Sequence, residues 1–186
     1  MKTLIVCLDD FAGGQFKIAT DIYTKKDLED CICQYEKPYI KKILGDALGQ
    51  LFIDDIDNKE PQTQIYKDLF DAFHIQPTCY YEYINWDLYF TKKELYSFGL
   101  KKVLLSAIYY HYISESQYIH STVGTAVNKN EASVVLTFNN NLRIAEKKFN
   151  AALESIDAIQ TKCFQDTTNY PDFNGQGVKV KHGSII

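Results

Sequence analysis

No run of lysine or arginine in this chain exceeds two residues, and the formal net charge is −4. That leaves no basic patch of the kind that grips a nucleic-acid backbone, so sequence-specific DNA or RNA binding is disfavoured. The five cysteines (Cys7, Cys31, Cys33, Cys79 and Cys163) are odd in number and lack the spacing of a disulfide framework. There is no CxxC pair, and His74, His111, His120 and His182 stand apart from the cysteines, so no metal constellation is expected. Synthesis in a reducing cytoplasm fits this usage. The apolar run near the start, residues 4–8, is far too short for a signal peptide or a membrane span. Gly13-Gly14 lacks the Gly-Lys-Ser or Gly-Lys-Thr that would make it a phosphate loop.

Against these absences stand 14 tyrosines and 11 phenylalanines beside a single tryptophan. Tyrosine pairs a large apolar ring with a polar tip, which suits surfaces buried on assembly; it equally replaces phenylalanine at half-buried positions. The 186 residues suffice for one domain with a real core and are too few to expect two. Apolar content is ordinary, which excludes a disordered chain.

The clearest pattern is a stripe of Leu142, Ala145, Phe149, Ala152, Ile156, Ile159 and Cys163, alternating steps of three and four. This predicts an amphipathic helix over 142–163 that packs lengthwise on another helix, with Arg143, Glu146, Lys147, Lys148, Asn150, Glu154, Ser155 and Asp157 solvated. Alanine at two stripe positions argues against a dedicated coiled-coil homodimer. Leu100, Val103, Leu104, Ala107, Ile108, His111 and Tyr112 predict a second long helix over 94–118, antiparallel to the first. His111 reads as a half-buried helix residue rather than a ligand or base.

Earlier in the chain, Leu4 to Leu8 predicts a short strand or extended arm, turning at Gly13-Gly14. Thr24 with Asp27 predicts a capped helix start. The helix continues through Leu28, Cys31, Ile32, Tyr35, Tyr39 and Ile43, is kinked or split at Pro38, and ends at Gly45. Asp46 opens a shorter helix reaching Ile56, and Pro61 to Phe73 predicts another with Pro61 in its first turn. Asp54, Asp55 and Asp57 lack the glycine and distal glutamate of a calcium loop and read as an acidic helix end. Residues 77–90, crowded with Tyr80, Tyr81, Tyr83, Trp86, Tyr89 and Phe90, predict a loop or hairpin, either a flap over the core or an interface. Residues 121–133 predict a β-like stretch with a flexible tip, and the chain after Phe164 an extended tail that orders on a partner.

Glu36-Lys37-Pro38-Tyr39-Ile40, then Ile43-Leu44-Gly45, Leu48 and Leu51-Phe52, resemble the head–tail connector (head-completion adaptor) proteins of tailed bacteriophages. The subgroup is that of phages and prophages of Bacteroidetes-type hosts. Leu4-Ile5-Val6, Asp10-Phe11, Gly14 and Lys17-Ile18-Ala19 look like that subgroup's opening, and Tyr170-Pro171-Asp172-Phe173-Asn174-Gly175 like its ending. Order and spacing together carry the resemblance over most of the chain, while segment 77–90 fits it least. It implies a dodecameric ring in the virion neck, docked on the portal protein and on further neck or tail proteins, with DNA passing through the lumen. It also implies an extended loop between the long helices that meets ring neighbours or portal, and a C-terminal extension that grips the portal.

The expectation is a mainly α protein: a bundle of four to five helices over 1–164, with an extended N-terminal arm, a β-like loop between the long helices and an extended tail over 165–186. Its expected role is structural, without enzymatic activity, cofactor or membrane. Expected interface residues are Tyr80, Tyr81, Tyr83, Trp86, Val123, Thr125, Val127, Tyr170, Phe173, Val178 and Val180. Asp54, Asp55 and Asp57 are candidates for an acidic channel lining that does not hold DNA. Two alternatives stand beside this: a phosphoryl-transfer or hydrolase enzyme using Asp9 and Asp10 at the end of an apolar strand, and a phage-encoded helical binding module.

Overall fold

The computed structural model describes the backbone of residues 3–18, 22–84, 87–116, 118–121, 124–127 and 133–175. Side chains are described for the same residues except 22–24, 76–84, 87–93, 118–121, 124–127 and 133–139. The fold is mainly α. Its core is built from α1 (Ile22–Leu44), α4 (Leu100–Glu115) and α5 (Ser133–Gln165), which pack on one another. The short helices α2 (Asp46–Asp54) and α3 (Gln64–Phe70) and three two-stranded hairpins are set around them. No helix among the described residues is long and apolar enough to cross a membrane.

α5 buries the stripe Ala145, Phe149, Ala152, Ile156, Ile159 and Cys163, as its period requires. It meets α4 antiparallel: the Phe98 N–H just before α4 bonds Ser155, whereas Tyr110 near the other end of α4 stacks on Phe149. Ser155 departs from the expected solvated face. It is fully buried, and its Oγ accepts the Phe98 N–H at 3.1 Å. A small hydroxyl fits where the loop entering α4 crosses α5.

α1 begins at Ile22, so Thr24 lies inside its first turn rather than capping it. Pro38 does not split the helix. It faces solvent, where the backbone carbonyl of Gln34, deprived of its helical partner, is free to bind water. Gly45 then turns the chain with φ +87°, a conformation that costs glycine little. The side chain of Asn174 lies so close that an added Cβ would sit 1.8 Å from its Oδ1. α2 stops at Asp54, and Ile56 belongs to β1 (Ile56–Asp57), not to the helix. β1 pairs with β2 (Glu60–Pro61) around Asn58 and Lys59, both at positive φ as a tight hairpin turn demands. Pro61 is therefore a strand residue rather than the first turn of α3. The start of α3 is held instead by Asp55, whose Oδ2 accepts the N–H groups of Gln62 and Thr63 at 2.8 Å each.

β3 (Phe73–Ile84) pairs antiparallel with β4 (Asp87–Ser97) as one long hairpin. The register slips between Ile75 and Thr78, around Pro77, which has no N–H to give to the ladder. Residues 94–97 are thus strand, and α4 starts at Leu100, later than the apolar spacing predicted. The break is set by Gly99 at φ +87°, where a Cβ would approach the Phe70 carbonyl to 2.2 Å. At the root of the hairpin Leu95 and Ser97 are buried while Tyr96 and Phe98 are exposed, the alternation of a strand laid on a core. A shorter hairpin, β5 (Tyr118–Ser121) with β6 (Gly124–Val127), follows α4 as the β-like stretch predicted there.

Residues 4–6 and the segment 166–175 both pack inward. Ile5 and Val6 are fully buried, yet the arm is no strand: the N–H groups of Leu4, Ile5 and Val6 converge on the carboxylate of Glu36 in α1, each at 2.7 Å. Glu36 is only 1% exposed, and these three N–H groups give its carboxyl oxygens the hydrogen bonds that burial requires. After α5 the chain turns over residues 166–175 and buries Tyr170, whose hydroxyl donates to the Ile65 carbonyl at 2.9 Å. This portion of the expected extended tail folds back on the domain.

Candidate interaction surface

The expected interface residues separate. Tyr170 is 2% exposed and bonded within its own chain, so it is a core residue and presents nothing to a partner. Phe173 is half-buried against the same core. Tyr80, Tyr81 and Tyr83 lie in β3, and Thr125 and Val127 in β6, with their side chains outside the described set. Trp86, Val123, Val178 and Val180 lie outside the described residues.

The side chains that are described form a different surface. Between α4 and α5, beside the turn at Gly14–Phe16, lies a pit of about 130 Å³. Val103, Ala151 and Ala152 make its apolar part, and the rings of Phe16 and Phe98 flank it. Two lysines stand on its rim. Lys102 lies 4.4 Å above the Phe98 ring, and Lys148 lies 4.5 Å above Tyr109 while donating to the Gln15 carbonyl. Partial burial lowers the Lys148 pKa below its ordinary value. The pit opens beside an exposed aromatic pair, Tyr96 and Phe98, packed edge to face at 5.0 Å. Further along α5, Phe164 is 75% exposed, the barest large apolar side chain among the described residues.

A second, wider groove of about 660 Å³ lies between α1 and α2, lined by Lys37, Pro38, Lys41, Lys42, Asp46, Gln50, Ile53 and Asn174. Its lining is more polar and its shape more open than those of the pit.

Of the two candidate catalytic carboxylates, Asp10 is engaged in structure. Asp10 accepts the Cys7 N–H at 2.9 Å and pairs with Lys101 at 3.2 Å. Burial pushes its pKa up, but the Cys7 N–H and thiol together with Lys101 outweigh that and hold it below the carboxylate range. Asp9 is exposed. His111 is half-buried, as its helical setting suggested. It stacks on Tyr35 at 3.9 Å and shares a hydrogen bond of 2.8 Å with the Tyr39 hydroxyl. Burial lowers its pKa; Lys42 adds to the shift and Glu115 opposes it. Burial also raises Tyr39 to about 12, and Tyr35, which donates to Glu115, is raised as well. Cys31, whose thiol donates to the Ile108 carbonyl, is pushed to about 12, mainly by burial. A thiol in that state is a poor nucleophile.

Sequence reasoning passed over the pit and Phe164. The available signals were Ala151-Ala152, a small pair beside a helical stripe, and a phenylalanine standing immediately off the end of that stripe. No family model, no curated protein and no solved structure matches this chain.

Proposed function

We propose that this chain is a structural virion protein, a ring-forming head–tail connector that docks on the portal and joins capsid to tail while DNA passes through. The reading rests on the ordered segments that resemble connector proteins, from Leu4 to Gly175. One observation of the architecture supports it most. The hairpin β3–β4 is rooted on the core at Leu95 and Ser97 and runs on to Ile84 and Asp87 as two strands, with no third among the described residues. A two-stranded ribbon of that length is marginal alone and carries two unpaired edges, so a neighbouring subunit or partner is the natural cover. In a ring, side-to-side contacts of this heterologous kind close by rotation. Asp54 and Asp57 remain exposed and are the better candidates for an acidic lumen, because Asp55 is turned to the start of α3. Replacing Asp54 and Asp57 by Asn is expected to slow DNA ejection; an unchanged rate removes them from the channel.

The direct test is the mass of the purified protein, alone and mixed with the portal protein of the same phage. A closed ring, or a shift to one when portal is added, is the expected result. A monomer indifferent to portal overturns the reading.

A further inference from the structure

We infer that Phe164 of one copy seats in the α4–α5 pit of a second copy, forming the contact by which the chain associates with itself; this rests on the ring reading above and names its interface. Size comes first. An apolar cavity of about 150 Å³ accepts a benzene ring, and the pit offers about 130 Å³ open on one side. Chemistry agrees. The pit's wall is mostly apolar, with Val103, Ala151 and Ala152 between Phe16 and Phe98 and the small polar groups of Ser106 and Ser155 beside them, a setting for edge-on contact with a phenyl ring. Charge agrees as well. The ammonium groups of Lys102 and Lys148 stand on the pit and Asp166 follows Phe164 by two residues, while Lys162, two residues before Phe164, is turned to the Asp68 carbonyl and the Phe73 ring. Asp166 is held ionised, its pKa lowered first by the Asn169 side chain and then by the Asn169 N–H.

Phe164 near the C-terminal end of α5 and the pit around Ala151 and Ala152 are separate places on one molecule, and the ring reading makes the contact heterologous rather than a reciprocal pair. Each copy offers a ring to one neighbour and a pit to the other, which builds rings when the rotation closes. The exposed Tyr96–Phe98 pair beside the pit extends the apolar surface that such a neighbour covers.

Two variants separate knob from hole. Phe164→Ser removes the ring at a 75% exposed position. Ala151→Trp fills the pit from an exposed position on α5. Both are surface changes, and unchanged helicity and melting verify the fold of each. By sedimentation, wild type is expected to associate and to do so more weakly in high salt. Each variant alone should associate roughly tenfold to hundredfold more weakly, the worth of burying one phenyl ring. A mixture of the two variants should stop at heterodimers, because only one intact knob and one intact pit remain per pair. The contact is overturned if wild type stays monomeric at millimolar concentration, if Phe164→Ser associates like wild type, or if the mixture fails to pair. A Phe164→Ser protein that still forms rings, alone or on portal, removes this contact and leaves the connector reading standing. A wild-type chain that self-associates through Phe164 into dimers or open chains rather than a ring, and ignores portal, does the reverse.

Discussion

The arm at residues 4–6 and the segment at residues 166–175 both return to the helical core, yet they are tethered in opposite senses. In the arm the backbone supplies the donors and α1 supplies the side chain, so Glu36 alone gathers Leu4, Ile5 and Val6. In the C-terminal segment the returning chain supplies the side chain and α3 supplies the backbone, so Tyr170 alone reaches Ile65. The first arrangement tolerates many sequences in the arm, provided its side chains are apolar. The second hangs on one residue of the segment itself. A tether's location in the sequence therefore need not be in the segment it holds.

The largest effect is expected at Glu36. Glu36→Ala leaves three N–H groups, two of them buried and one partly so, without an acceptor and should cost about 3–5 kcal/mol in a denaturant titration. Limited proteolysis should then cut the arm first, and a protein that keeps its stability breaks the comparison. Tyr170→Ala should cost about 3 kcal/mol for the lost ring, against about 1 kcal/mol for Tyr170→Phe, which loses only the bond to Ile65. Amide exchange should show the release confined to residues 166–175 and their contacts. Asp55→Ala sharpens the contrast, because Asp55 anchors the start of the helix that carries Ile65. A loss of about 1 kcal/mol is expected, with faster exchange in α3 and in the C-terminal segment while the arm stays protected.

The smallest effect concerns pH. His111 packs against α1, the helix that holds the arm, and its folded pKa lies below the ordinary 6.5. The unfolded chain therefore binds the proton more readily, so stability should be full above 6.5 and decline as pH falls below it. A His111→Gln variant should lose that slope between neutral pH and pH 5, measured by melting. If the wild-type and variant slopes coincide, the His111 proton has no bearing on α1.

The helices were legible because burial there follows a period. The stripe from Leu142 to Cys163 and that from Leu100 to Tyr112 each record one face of one helix, and each element is where its stripe lies. What escaped was information no local window contains. Ser155 looks solvated by its type and is buried because a distant N–H, that of Phe98, needs an acceptor. Glu36 looks like any helix-surface carboxylate until the arm arrives. The strands of 73–84 and 87–97 were ambiguous because aromatic residues fall at both odd and even positions of the sequence and leave no alternation to read. Gly99, not the apolar spacing, decides where α4 starts. Tyr170 sits among turn-forming residues that suggest exposure, and only its distance-blind partner on α3 makes it core.

The two tethers also differ in when they can form during synthesis. Glu36 and Val6 are 30 positions apart, whereas Tyr170 and Ile65 are 105 apart. By loop closure alone the longer span costs only about 1 kcal/mol more, but synthesis imposes a stricter order. The arm can lock onto α1 once little more than the first helix has left the ribosome. The faces of α1 and α3 that await α5 and Tyr170 stay uncovered until residue 170 has emerged. For most of translation the nascent chain thus carries a closed beginning and an open flank, and that flank is where a chaperone would bind.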